Sequence, residues 1–209
     1  MPLVHSETID AHCNLLLWKL TESVSELSES LGSAFISDEL RSISHPQKVR
    51  EWLASRLLIK ILAEKFGIDY VGLHKDEHRK AYLINNDSHI SITHTFDYVA
   101  VALNHISAVG IDMEKSDAKL QRTSTKYLSK PEFDHAANET AVLCMYWTAK
   151  EAVYKLYGKK KISFRDAILI EPFSKETVIV SGKLTDEQKT VHSTIHIRWH
   201  DQHCLAIAL

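Results

Sequence analysis

The sequence predicts an α+β protein of two similar α/β halves, residues 1–105 and 106–209, with the active site between them. Three observations predict it. Short apolar runs of strand length are interspersed with longer stretches of helical periodicity. The chain of 209 residues is long enough for two small subdomains with real cores. The run Tyr98-Val99-Ala100-Val101-Ala102-Leu103 is also echoed by the final Cys204-Leu205-Ala206-Ile207-Ala208-Leu209, each after a strand and a polar turn. The halves would join near residues 104–109, and clefts between domains commonly hold small molecules.

The elements follow in order. Residues 14–20, with Leu15, Leu16, Leu17 and Trp18, are apolar enough for a first strand. Residues 21–34 are expected to be helical, with Thr21 as N-cap and Leu27 and Leu31 four apart. Residues 46–66 give the clearest amphipathic helix. Pro46 suits its first turn, Val49, Trp52, Leu53, Leu57, Ile61 and Leu62 form its apolar stripe, and Gly67 ends it. Strands are expected at 82–84, 89–93 and 98–103. Helices are expected at 117–127 and 131–157, with a break near Pro131. From Ile168 onward the chain returns to strands, at 178–180, 194–199 and 204–209.

Composition excludes several classes. Hydrophobic content of 44% and charged content of 25% are ordinary for a soluble globular chain. A formal net charge of −2 offers no bulk attraction to nucleic acid or an anionic membrane. Cys13, Cys144 and Cys204 are odd in number and form no CxxC pair, so they read as buried thiols in a reducing compartment. The first residues lack the basic and apolar regions of a signal peptide, and no apolar run reaches bilayer length. A cytoplasmic protein is expected. His196, His200 and His203 are the best-spaced histidines for zinc. They fall on an expected strand without a cysteine at ligand spacing, so structural zinc is not expected.

Two segments carry the chemistry. In Val109-Gly110-Ile111-Asp112-Met113-Glu114, two carboxylates at i and i+2 of a strand point to one face. In Trp147-Thr148-Ala149-Lys150-Glu151-Ala152-Val153-Tyr154-Lys155, Trp147, Glu151 and Lys155 recur every four residues and share a helix face. Folded together, the segments offer three hard oxygen ligands, which suit Mg²⁺, and an ammonium within reach of a phosphate. Taken alone, Asp112 with Glu114 is more often solvated surface charge than a metal site, and Glu151 with Lys155 is a routine helix ion pair. Ser91-Ile92-Thr93-His94-Thr95 puts hydroxyls and an imidazole at a strand end, where they either bind phosphate oxygens or form a polar turn. Arg50, Arg56, Arg79 and Lys80 are candidate anion-binding cations or solvated surface. The run Lys159-Lys160-Lys161 either favours the helix end or forms a landing patch for an acidic partner.

Together these motifs resemble the 4′-phosphopantetheinyl transferases, specifically the larger, Sfp-like, pseudo-dimeric group. That family has a G-[IV]-D-x-E strand, matched by Gly110-Ile111-Asp112-Met113-Glu114, and W-[ST]-x-K-E-[AS]-x-x-K, matched from Trp147 to Lys155. Its upstream S-x-[ST]-H-[ST] is matched by residues 91–95. Its R-F-[FL]-S-x-x-E stretch is similar to Lys126-Tyr127-Leu128-Ser129-Lys130-Pro131-Glu132. An arginine-bearing helix is matched around Arg50 and Arg56. The resemblance covers about residues 40–165. Arg79-Lys80-Ala81 stands where the family often has Gly-Lys-Pro at the adenine and 3′-phosphate site, and Lys80 keeps the charge.

The resemblance implies the family's fold, two subdomains related by pseudo-twofold symmetry, and a monomer. It implies an enzyme that moves the 4′-phosphopantetheine arm of coenzyme A to a serine hydroxyl of an acidic apo carrier protein, acyl or peptidyl. Asp112, Glu114 and Glu151 would hold Mg²⁺, with Mn²⁺ as a substitute. Asp112 and Lys155 would meet the diphosphate. Thr93, His94, Arg50, Arg79 and Lys80 would bind coenzyme A. Glu151, Lys155 and Lys150 would be catalytic, with Glu151 as base and Lys150 orienting that carboxylate. Two other classes also fit the acids and lysine: a Mg²⁺-dependent phosphodiesterase or nuclease, and a vestigial binder of coenzyme A or carrier protein. The first normally wants a basic surface, and a near-neutral chain argues against it unless the basic residues form a local patch.

Overall fold

A computed structural model describes residues 3–159, 162–187 and 189–209. It is mixed α/β, and its residues divide into two compact units, Met1–Ser107 and Ala108–Leu209. No helix among the described residues is long and apolar enough to cross a membrane.

The first unit contains one antiparallel sheet. Its strands are β1 (Leu3–Thr8), β2 (Cys13–Lys19), β3 (Leu73–Lys75), β4 (Ala81–Leu83), β5 (His89–His94) and β6 (Tyr98–Asn104), in the order β1-β2-β6-β5-β4-β3. β6 is buried throughout because β2 and β5 flank it, in register through Leu16↔Val101 and Ile92↔Val101. Helices α1 (Val24–Leu31), the short α2 (Asp38–Arg41) and α3 (Pro46–Lys65) complete the unit. The core joins Leu53, Leu58 and Leu62 of α3 to Leu16, Val99 and Leu103.

Local chemistry explains the helix ends. α1 starts later than the expected Thr21, because Ser23 and Glu26 form a reciprocal capping box. Pro46 opens α3 behind the His45 cap, and Gly67, at φ 69°, lets the chain leave it. The stripe expected on α3 is only part of its buried surface. Glu51, Ser55 and Arg56 are buried as well, so its middle is enclosed all round. Arg56 is held there by Glu39 Oε2 at 3.0 Å and by the Trp52 ring 4.2 Å away.

The second unit has the antiparallel order β7-β11-β10-β9-β8. These strands are β7 (Gly110–Lys115), β8 (Ile168–Ile170), β9 (Ile179–Thr185), β10 (Thr190–His200) and β11 (His203–Ala208). Its helices are α4 (Lys119–Tyr127), α5 (Lys130–Ala136) and α6 (Thr140–Tyr157). α6 packs on β7 and β11, and Leu143, Ala149, Ala152, Ile195 and Ala206 are fully buried between helix and sheet. The break expected near Pro131 lies at Leu128 and Ser129, between α4 and α5, and a second break, not expected, divides 131–157 into α5 and α6. Pro131 sits in the first turn of α5, where its missing N–H costs nothing, and the chain turns at Ala137 and Asn138, with φ of 47° and 60°. Both echoing segments form strands flanked on two sides, β6 and β11.

β7 and α6 approach very closely. A Cβ built on Gly110 would lie 2.0 Å from the Ala152 carbonyl oxygen and 2.3 Å from Leu156 N. Only a residue without a side chain fits that contact.

Candidate active site

The second unit brings the two chemical motifs together. Asp112 and Glu114 lie on β7, an edge strand that pairs, among the described residues, only with β11. Glu151 and Lys155 lie one helical turn apart on α6, which packs on that strand. Lys155 Nζ donates to Asp112 Oδ1 at 2.7 Å. Lys119 Nζ, from the start of α4, donates to Glu114 Oε1 at 3.0 Å.

Glu151 feels its neighbours strongly. Burial first, then the charges of Asp112 and Glu114, push its carboxyl up to about 7, with Lys155 opposing them. The three acids and Lys155 therefore act on one another across the contact of β7 with α6.

Among the described residues, no three or more His, Cys, Asp or Glu side chains gather closely enough to hold a metal ion as they stand. The donor chemistry nevertheless fits Mg²⁺. All three groups are hard oxygen donors. Asp112 and Glu114 each already hold an ammonium where a cation is attracted, and Glu151 is raised by burial and by the neighbouring charge of Asp112.

A cavity of about 570 Å³ opens beside Glu114. Leu120, Tyr127, Trp147 and Phe164 make its wall mainly apolar, and Lys119 and Lys126 add cationic side chains. The Trp147 ring contacts Tyr127 edge-on at 4.9 Å and stacks on Phe164 at 5.7 Å. Trp147 thus shares the Glu151 face of the helix, as the four-residue spacing predicts.

Lys150 is placed differently from its expected role beside Glu151. It is fully buried, and its Nζ donates to Glu132 Oε2 at 2.7 Å, Phe164 O at 2.9 Å and Ile168 O at 2.6 Å. Glu132 also accepts from Ser129 N and Oγ and from Ile170 N. The pair ties α5, α6 and β8 together, and Lys150 is spent on that interior contact.

The remaining candidates lie in the first unit. Arg50 donates to Leu20 O at 2.6 Å, Glu22 O at 2.9 Å and Gln47 Oε1 at 3.3 Å, so it braces the turn after β2. Arg79 is exposed at φ 67° in a turn closed by Asp76, whose Oδ1 accepts from His78 N and Lys80 N. Lys80 is half-buried, and burial lowers its pKa while Asp76 opposes the shift. Thr93 is buried, and His94 Nδ1 lies 3.2 Å from Glu51 Oε2, which also pairs with Lys48 at 2.7 Å. Of the run Lys159-Lys160-Lys161, Lys160 and Lys161 lie outside the described residues.

Sequence reasoning missed Lys119, Phe164, Glu51 and the role of Glu132. Only Glu132 carried a clear signal, because Ser129-x-x-Glu132 is a capping-box pattern. The others meet their partners through tertiary packing.

Residues 108–208 match the family model described as the 4′-phosphopantetheinyl transferase superfamily. The match takes in β7, α6 and β11, and with them Asp112, Glu114, Glu151 and Lys155. It supports a transferase that moves phosphopantetheine. No curated protein matches the chain.

Proposed function

We propose that this protein transfers the 4′-phosphopantetheine arm of coenzyme A to a serine hydroxyl of an acidic apo carrier protein, releasing adenosine 3′,5′-bisphosphate. The observation that carries this reading is the meeting of Asp112, Glu114, Glu151 and Lys155 inside the region matching that transferase family.

The chemistry uses these groups in distinct ways. The serine Oγ attacks the phosphorus that bears the arm. The new O–P bond forms as the P–O bond to adenosine 3′,5′-bisphosphate breaks. Glu151 is the candidate base that accepts the serine proton. Lys155 leaves Asp112 to pair with the diphosphate, whose charge grows in the transition state. The uncharged arm lies in the apolar cavity beside Glu114. Asp112, Glu114 and Glu151 would hold Mg²⁺, or Mn²⁺ in its place, which supplies positive charge to the diphosphate oxygens. Lys80, Thr93 and His94, with Arg79, bind the phosphates of coenzyme A. Arg50 helps by holding its turn in place. In this reading the two units are the similar halves, 1–105 and 106–209, of the larger, pseudo-dimeric group. The enzyme is a monomer working in the cytoplasm.

The test is the intact mass of an apo acyl carrier protein incubated with this chain, coenzyme A and Mg²⁺. A gain of one phosphopantetheine, absent with chelator, is expected. Hydrolysis of coenzyme A without any gain on the carrier would replace the transferase with a phosphodiesterase. Tight coenzyme A binding without turnover would leave a vestigial binder.

A further inference from the structure

We propose that His12 and His105 form a binding site for a divalent first-row transition metal ion of the Zn²⁺ or Ni²⁺ class on the surface of the first unit. This is independent of the transferase reading and uses none of its residues. His12 ends the β1–β2 turn, and His105 follows β6. Their nitrogens face each other, with His12 Nδ1 3.2 Å from His105 Nε2. Two metal–nitrogen bonds of about 2.05 Å, meeting between a right angle and the tetrahedral angle, hold their nitrogens roughly 2.9–3.3 Å apart. The observed separation lies in that interval. The two rings are already at the spacing of adjacent ligands on one ion.

Both residues are held in place. Asp10 Oδ1 accepts from His12 N at 2.7 Å and from Cys13 N at 2.8 Å, which fixes the turn. His105 N donates to His12 O at 3.1 Å, and the Phe66 ring lies 4.9 Å from the His105 ring. His105 Nδ1 lies 3.0 Å from the same His12 carbonyl oxygen. A carbonyl only accepts, so Nδ1 carries the hydrogen and the lone pair of Nε2 points toward His12. A ring whose second nitrogen donates to a backbone carbonyl is the usual arrangement of a ligating histidine. Without metal, His12 Nδ1–H donates to that lone pair. With metal, His12 moves its hydrogen to Nε2, and the ion takes its place between the rings. Both residues are exposed, so water can complete the coordination. Imidazole nitrogens favour Zn²⁺, Ni²⁺ or Cu²⁺ over Mg²⁺.

The experiment is calorimetric titration of Zn²⁺, and separately Ni²⁺, into the full tag-free chain in excess Mg²⁺, which occupies oxygen sites. The variants are His12→Ala and His105→Asn, the second keeping a donor for the His12 carbonyl while losing Nε2. One equivalent is expected to bind the parent. Each variant should bind at least tenfold more weakly at an unchanged melting temperature, while His192→Ala binds as the parent does. Binding of equal strength in both variants, or no binding to the parent at millimolar metal, would overturn the site. A melting temperature lowered in one variant only passes the decision to the other variant.

Discussion

Lys155 Nζ and Asp112 Oδ1 are 2.7 Å apart although 43 residues separate them in sequence, and this ion pair is where α6 meets β7 at the acids. Both groups are partly exposed, at 30% and 12%, so the pair contributes modestly to stability and remains open to exchange with a ligand. Asp112→Ala should therefore abolish transfer, with a fall in kcat/KM of roughly a hundredfold or more. Its far-ultraviolet circular dichroism should stay unchanged. Near-normal turnover with normal Mg²⁺ dependence would reject the three-acid assignment.

Glu151 should give the metal-free protein a pH-dependent stability. Its carboxyl rises from 4.5 to about 7 on folding, chiefly through burial. A group raised in the folded state stabilises fully below its unfolded value, and that contribution is lost as pH rises through the folded value. Stability should fall from about pH 4.5 to 8 by an amount on the order of 2 kcal/mol, after allowing for partial exposure. Urea unfolding with chelator would show this slope, and Glu151→Gln should flatten it. An identical slope in the variant would remove Glu151 as its source.

Lys150 and Glu132 form a buried ion pair whose halves need each other. Lys150→Ala leaves the Glu132 carboxylate enclosed without its cation, at a cost of roughly 3–5 kcal/mol. Guanidinium unfolding should show that loss, and turnover per folded molecule should stay within about tenfold of the parent. Unchanged stability with abolished turnover would return Lys150 to the chemistry.

Lys80→Ala should mainly weaken coenzyme A binding. The ammonium is half-buried, and desolvation favours pairing it with an anion. A rise in Kd of about tenfold corresponds to about 1.4 kcal/mol. A purely kinetic defect at unchanged affinity would exclude a binding role.

Much of the secondary structure was legible because apolar periodicity marks faces that later become buried. The α3 and α6 helices and strands β2, β5, β6 and β11 follow from such patterns. β1 was missed because its residues, Leu-Val-His-Ser-Glu-Thr, are mostly polar, as an edge strand open to solvent allows. The break before Pro131 was legible, but the second one, after α5, was missed because it relies on left-handed Ala137, which no local propensity foretells. The Trp147, Glu151 and Lys155 face could be read from spacing alone. The same helical phase puts Lys150 beside Tyr146 and Val153, both buried, and this clue outweighs its adjacency to Glu151. Lys119 on Glu114 had no local signature, since only tertiary packing brings α4 to the end of β7.

Gly110 is commonly the kind of residue credited with flexibility, but here its value is dimensional. The atoms that a Cβ would strike, Ala152 O and Leu156 N, belong to the helical turn that starts directly after Glu151 and contains Lys155. A methyl group at position 110 would act as a wedge. It would lift that turn off β7 and carry the base and the ammonium away from Asp112 together. The glycine in front of the acidic pair is thus a spacing gauge: its missing side chain sets the tolerance to which strand and helix are assembled.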